Sequence, residues 1–229
     1  MINHLACIMD GNRRWARQRG WLPWYGHKEG AESIRTVIEF CIEKNIQYVS
    51  LYTFSTENLQ RSEEEKKYLF DFLVMQIKNN VSELVQKGVQ VRFIGDRSLF
   101  PSNIVPACED IEEQTKALTT LQLNFLFCYG SQQELLQGVK TITQLVVQGN
   151  LSPEAITHET IKQSLWLGDI PEPEVIIRTG GFKRLSNFLL YQAAYSELYF
   201  LDCLWPELRK KDLQEVFDNF VDCRRNFGT

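Results

Sequence analysis

The spacing of apolar and polar positions switches repeatedly between a strand period and a helix period. Residues 5–9, Leu5-Ala6-Cys7-Ile8-Met9, form a short unbroken apolar run, the mark of a buried strand. Ile34, Val37, Ile38 and Cys41 then recur at helical spacing. Residues 48–54 are rich in β-forming side chains and predict a second strand. Ser62 followed by Glu65 predicts a capping box. A long helix follows, with Phe70, Leu73, Val74, Ile77, Val81, Leu84 and Val85 in one apolar stripe that Leu69, Phe72 and Met75 widen. Gly88 is placed to stop it. Residues 89–94 predict a third strand, and a helix over 102–118 carries Ile104, Cys108 and Ile111. A fourth strand, 121–127, sets Leu121, Leu123, Phe125 and Phe127 on one face, and a helix over 133–147 follows. Ser152-Pro153 predicts a helix start with serine as cap, and a second short helix ends near Gly168. Residues 175–177 and 198–200 predict the fifth and sixth strands, and Leu213, Val216, Phe217 and Phe220 mark a final helix. Strands alternating with helices define an α/β fold: one mostly parallel sheet of about six strands flanked by helices. With no repeat and no break in composition, residues 1–229 are expected to form one domain.

Composition narrows the class. The chain is 44% hydrophobic and 24% charged, as in ordinary soluble domains. Its net charge of -4 argues against a nucleic-acid partner bound through bulk charge. No apolar run reaches membrane-spanning length, and polar residues arrive too early for a signal peptide. The six cysteines form no C-x-x-C pair; Cys7, Cys41 and Cys128 fall in apolar periodic segments as small hydrophobes. A reducing cytoplasm is expected, and a catalytic thiol is not.

Candidate chemistry collects where strands end. Asp10-Gly11-Asn12-Arg13-Arg14 follows the first strand, and Ser55-Thr56-Glu57-Asn58 with Arg61 follows the second. Arg178-Thr179-Gly180-Gly181, then Arg184 and Ser186, follow the fifth. Open α/β sheets bind ligands at these carboxyl ends. Gly11 permits close backbone approach, arginine forks suit phosphate oxygens, and Asp10 can hold magnesium or take a proton. A D-G-N triplet is also ordinary turn chemistry. The convergence of arginines in an acidic chain points instead to an anionic guest of the pyrophosphate type. Nucleotide fingerprints are absent: there is no G-x-G-x-x-G after the first strand and no P-loop.

Several motifs together resemble the cis-prenyltransferase family. They are Asp10-Gly11-Asn12-x-Arg14-x-Ala16, Gly26-His27-x-x-Gly30 and the run from Leu51 to Asn58 with Arg61. Ile177-Arg178-Thr179-Gly180-Gly181, Arg184-x-Ser186-Asn187-Phe188-Leu189-Leu190, Ala194-Tyr195-x-Glu197 and Trp205-Pro206 continue the likeness over nearly the whole chain. The resemblance implies condensation of isopentenyl diphosphate with an allylic diphosphate, usually farnesyl diphosphate. The implied product is a polyprenyl diphosphate, the undecaprenyl carrier lipid of cell-wall synthesis. It implies Mg2+ held by Asp10 and Glu197. Gly11, Asn12, Arg13 and Arg14, with Trp15, His27, Ser55, Thr56, Glu57 and Arg61, are implied for the allylic diphosphate. Arg178, Arg184 and Ser186 are implied for the isopentenyl diphosphate. Asn58, with Ser55, His27 and Asp10, belongs to the group linked to proton removal; a neutral amide is a poor base, so Asn58 is expected to orient a water or a diphosphate oxygen. A greasy tunnel is required for the product; Leu121, Leu123 and the stripe from Phe70 to Val85 are candidates for it or plain core. The likeness also implies a homodimer and transient contact with a membrane surface.

The chain departs from the family pattern at identifiable places. Pro23 stands where the family carries arginine four residues before the histidine, and Arg13, Arg17 or Arg19 is a candidate replacement. Phe182 stands where glutamate is usual, Leu59 where tryptophan is, and Ser62 where proline is. Gln132 lies where arginine is common, and the tail reads Asn226-Phe227-Gly228 with Arg225 one place early. In family homodimers that tail approaches the neighbouring active site. These departures motivate an alternative, a non-catalytic scaffold subunit of a hetero-oligomeric prenyltransferase. A phosphatase built on Asp10 is disfavoured by the missing second carboxylate of a D-x-D pair.

Overall fold

The apolar runs pair side by side, and every pairing is parallel. In the computed structural model, which describes residues 2–222, the strands are β1 (His4–Ile8), β2 (Tyr48–Ser55), β3 (Val89–Ile94), β4 (Leu121–Tyr129), β5 (Val175–Arg178) and β6 (Glu197–Phe200). They form one six-stranded sheet in the order β3-β4-β2-β1-β5-β6. The helices are α1 (Asn12–Gln18), α2 (Tyr25–Glu43), α3 (Glu63–Gln86), α4 (Val105–Thr115), α5 (Ser131–Val147), α6 (His158–Gln163) and α7 (Lys210–Asp222). Cys223 and the Arg225 to Gly228 tail lie outside the described residues. Among the described residues no helix is long and apolar enough to cross a membrane.

Strand periodicity splits the core in two. Leu5, Cys7, Val49, Leu51, Leu121, Leu123, Phe125, Phe127, Val175 and Ile177 face one way, where α2, α4 and α7 cover them. Ala6, Ile8, Leu126 and Ile176 face the other way, under Leu167, Ile170, Phe188 and Leu189 from irregular segments. This alternation is the period-two pattern of a pleated strand. α3 covers the first face loosely: Leu69, Phe70, Leu73, Val74, Val81 and Leu84 pack against it only partly buried. A polar chain crosses the sheet near its amino end. His4 Nδ1 donates to the Pro171 carbonyl at 2.6 Å, and its Nε2 lies 2.8 Å from Ser50 Oγ. Asn124 Nδ2 also donates to Ser50 Oγ, at 3.3 Å.

Three local expectations differ from the structure. The helix expected over 102–118 is the shorter α4, with Pro106 in its first turn. Ser152-Pro153 opens only a single 3-10 turn, Pro153–Ala155, because the serine side chain makes no capping bond. The α-helix starts later, at α6, where Thr157 Oγ1 caps the Thr160 N–H at 3.2 Å. Ser62 does cap α3 by accepting the Glu65 N–H at 3.4 Å, but the Glu65 carboxylate turns to Arg61 instead of closing a box.

Topology and glycine packing place the strand ends. The chain leaves β1 to build β2, β4 and β3 on one side, and returns to add β5 and β6 on the other. The crevice between β1 and β5 is therefore the switch point, where open sheets accept ligands. α1 begins there through Gly11, whose φ of 110° is a left-handed value favouring glycine. α2 lies tight against it. A Cβ on Gly26 would come within 1.9 Å of the Asn12 carbonyl, and one on Gly30 within 2.4 Å of Asn12 Oδ1 and 2.8 Å of Trp205 Cδ1. The Gly26-His27-x-x-Gly30 spacing is one helical turn, so both glycines face Asn12. Trp205 locks the contact by donating from Nε1 to the Gly30 carbonyl at 2.8 Å. Gly30→Ala, which in an open helix gains about 1 kcal/mol, is expected here to destabilise by about 1–3 kcal/mol through overpacking. The urea midpoint checks this.

Candidate active site

The ends of β1 and β5 meet in an ion pair. Arg178, the last residue of β5, is only 4% exposed. Its Nη2 donates to Asp10 Oδ2 at 2.8 Å, and its Nη1 donates to Ser186 Oγ at 2.8 Å and to the Arg184 carbonyl. Arg14 Nη2 reaches the other Asp10 oxygen at 3.4 Å, one helical turn from it. The Asp10 backbone is fixed as well: its carbonyl accepts from Thr179 Oγ1 at 2.7 Å and from the Trp205 N–H at 3.0 Å. Phe182 lies beside this cluster, with the Cζ of Arg14 at 4.7 Å and of Arg184 at 4.4 Å from its ring centroid.

A second charged cluster follows β2. β2 and β4 slip register twice, at Thr53 and again before Ser55, where Cys128 takes a left-handed φ of 48°. Such bulges re-aim a strand end. Asn58 Oδ1 accepts the Ser55 N–H at 3.3 Å, so the amide's free chemistry is that of a donor. Glu65, buried, is shared by Arg61 Nη1 at 3.2 Å and Arg13 Nε at 3.6 Å. Arg13, Glu57, Asn58, Arg61 and Glu65 line one depression. Burial, then Arg61 and Arg13, push the His27 imidazole down to about 3, so it is neutral. Among the described residues six buried side-chain polar atoms lack a hydrogen-bond partner. Five are at this edge: Asn12 Oδ1, His27 Nε2, Thr56 Oγ1, Arg178 Nε, and Arg13 Nε, which only its ion pair with Glu65 engages. Buried polar atoms left unpaired are costly, and here they point to a polar guest.

An apolar cleft of about 170 Å³ opens next to these groups. Asn12 and His27 lie on its wall with Leu69, Phe72, Leu73 and Leu123, and Arg35, Glu83 and Lys87 also line it. Of the tunnel candidates, Leu73, Leu84 and Leu123 line it, while Leu121 belongs to the packed core.

Two expected site residues start from other positions in the fold. Glu197 opens β6 opposite Val175, whereas Arg178 pairs with Phe200. Parallel pairing therefore sets the Glu197 backbone about 10 Å back along the sheet from the Arg178 level. Trp15 is buried against Ala16 and Leu204, with Arg19 stacked on its ring at 3.9 Å. The helical turn points it away from Arg14. Glu57 is at the site but held: Asn187 Nδ2 donates to its Oε1 at 2.9 Å. Of the replacements for the arginine missing at Pro23, Arg19 pairs with Glu207 at 3.5 Å, while Arg13 lies in the second cluster. Glu65 and Thr179 were missed as site residues. The four-residue spacing of Arg61 and Glu65 was a readable signal for the first. Among the described residues no three His, Cys, Asp or Glu side chains gather as a metal cage. Magnesium commonly uses one or two carboxylates and completes its shell with phosphate and water, a demand that the partly exposed Asp10 carboxylate fits. Burial raises the thiols of Cys7 and Cys128 to about 12, which leaves them inert.

A sequence model of the family described as "Putative undecaprenyl diphosphate synthase" matches residues 8–228. The tritrans,polycis-undecaprenyl-diphosphate synthase (geranylgeranyl-diphosphate specific) of Thermococcus kodakarensis is 40% identical over 227 residues, 98% of this chain and 86% of that protein. The ditrans,polycis-undecaprenyl-diphosphate synthase ((2E,6E)-farnesyl-diphosphate specific) of Escherichia coli is 39% identical over 225 residues, 98% of this chain and 89% of that one. The crystal structure of lavandulyl diphosphate synthase from Lavandula x intermedia, in complex with dimethylallyl diphosphate, superposes with a TM-score of 0.96 at 30% identity, covering 100% of this chain and 98% of that one.

Two buried histidines set a pH dependence. Burial lowers His4 to about 4 as well as His27 to about 3, from 6.5 for both. As pH falls below about 6.5 the unfolded chain takes up protons that the folded chain refuses, so the histidines' contribution is full above that pH and drains down to about 4 for His4 and about 3 for His27. Urea midpoints are expected to fall between pH 7 and 5, and His27→Gln to remove about 2 kcal/mol of that loss.

Proposed function

The chain belongs to the undecaprenyl diphosphate synthase family of cis-prenyltransferases, and from that premise we propose how its residues divide the reaction. The family reaction joins an allylic diphosphate to isopentenyl diphosphate, breaking the allylic C–O bond, forming a C–C bond and releasing pyrophosphate and a proton. The observation that carries our assignment is the Asp10–Arg178 pair at the switch point, with an apolar cleft beside it. In our reading Arg178, Arg184 and Ser186 hold the isopentenyl diphosphate. Asn12, Arg13, Arg14 and Arg61 hold the allylic diphosphate, stabilising negative charge as it leaves. His27, held neutral chiefly by burial and further by Arg61 and Arg13, serves as a neutral hydrogen-bonding partner through its unpaired Nε2. Asn58 donates to a diphosphate oxygen or a water and orients it. Asp10 holds magnesium, which when bound supplies charge neutralisation on diphosphate oxygens.

The cleft takes the growing hydrocarbon. At about 170 Å³ it is smaller than the roughly 300–1,000 Å³ of ordinary ligand pockets. The chain must therefore widen it, and the half-buried stripe of α3 is the yielding wall. We propose farnesyl diphosphate or its geranylgeranyl homologue as starter, since close relatives specific for each are about equally similar. The undecaprenyl carrier lipid is the proposed product.

Purified protein with labelled isopentenyl diphosphate, magnesium and each starter is expected to release pyrophosphate and yield polyprenyl diphosphates, resolved by chain length. Asp10→Asn, which keeps the side-chain shape, is expected to lower kcat/KM by about 100-fold or more with the fold retained by circular dichroism. Absence of elongation with every starter, or full activity of the variant, contradicts the assignment.

A further inference from the structure

Phe182 is 42% exposed, yet its ring touches two guanidinium groups. One belongs to Arg14 on α1 and the other to Arg184 in the loop after β5, so the ring bridges the two elements assigned to the two substrates. Its footing is rigid. Gly180 and Gly181 take left-handed φ values of 86° and 75°, and their N–H groups donate to the Cys203 carbonyl at 2.8 Å and the Leu201 carbonyl at 2.9 Å. A Cβ at Gly180 would come within 2.3 Å of Arg14 Nη2, so the guanidinium lies directly over this turn.

Charge explains why an aromatic ring serves here. Arg14, Arg178 and Arg184 gather beside one carboxylate, Asp10, which pairs with the first two. Asp202 lies next to Gly181, but among the described residues it makes no ion pair with these arginines. A carboxylate at position 182 would hold Arg14 and Arg184 by ion pairing and cancel one positive charge. A phenyl face attracts guanidinium through its quadrupole and carries no net charge. Pro23 has already removed one cation from the expected family pattern.

We propose that Phe182 is a positioning residue that holds Arg14 and Arg184 by cation–π contact and leaves their charge available to diphosphate. The proposal rests on the prenyltransferase reading of the site. It makes the ring, rather than bulk or apolarity, the functional property of position 182.

The test compares the full chain with Phe182→Leu, Phe182→Trp and Phe182→Glu, each checked for an unchanged melting temperature. Affinity for inorganic pyrophosphate is measured by calorimetry, and KM and kcat for isopentenyl diphosphate by turnover. Leucine is expected to weaken pyrophosphate binding and raise KM by about 5- to 30-fold, with kcat changing less. Tryptophan restores both to within about twofold, because its face is the better cation partner. Glutamate weakens binding at least as much as leucine. Wild-type values for the leucine variant, or no rescue by tryptophan, overturn the proposal. If the wild type elongates no prenyl diphosphate, the reading of the site fails, and the pyrophosphate affinities still decide the role of Phe182.

Discussion

A guanidinium removed from water needs full compensation, and Arg178 is the guanidinium on which this structure turns. Its fork joins the Asp10 carboxylate at the end of β1 to Ser186 and the Arg184 carbonyl in the loop beyond β5. Losing Asp10 strands a buried guanidinium, though the carboxylate's partial exposure keeps the cost below the roughly 3–5 kcal/mol of a fully buried pair. The pair therefore fixes two chain segments far apart in sequence. It also anchors a loop under backbone strain: Ser186, Asn187 and Leu189 adopt left-handed φ values of 52°, 64° and 46°. Non-glycine residues hold such values only when their surroundings over-determine them.

Around that pair the charges are arranged asymmetrically. Asp10 faces Arg14 and Arg178, while Glu65 faces Arg13 and Arg61. Asp10 is outnumbered by Arg14, Arg178 and Arg184, so the first cluster keeps positive charge in a chain whose net charge is -4, whereas Glu57 and Glu65 balance Arg13 and Arg61 in the second. A local excess walled by apolar surface focuses its field on an incoming anion. The buried, neutral His27 adds no charge to the repulsion between Arg13 and Arg61.

The sheet was legible in the sequence because the strands are short apolar or alternating runs and the longer helices are periodic ones. All six strands were anticipated within a residue or two, as was the gathering of Asp10, Arg14 and Arg178. What sequence could not supply was depth along a strand. Glu197 reads as part of the site by motif, and only the structure shows that its backbone pairs opposite Val175, toward the amino end of the sheet. Pairing register is a long-range property that local pattern does not encode. Glu65 was misread for a related reason: one residue satisfies both a capping pattern and an i,i+4 ion pair, and only packing decides between them. Phe182 read as a loss because a missing acid is visible in sequence, whereas two arginines stacked on a ring are visible only in space.

The hydrogen-bonded chain from Pro171 through His4 and Ser50 to Asn124 has a bearing on accuracy at the opposite rim. Parallel strands have no tight turn to set their alignment, and hydrophobic runs alone tolerate sliding. A one-residue slide of β1 or β2 would carry the imidazole or the hydroxyl to the face built from leucine, valine and phenylalanine, without a partner. The lattice thus acts as a keyed latch: by admitting only one alignment at the amino ends, it dictates where Asp10 and Ser55 emerge several residues later. Ångström-level tolerance at one rim is underwritten by polar atoms at the other.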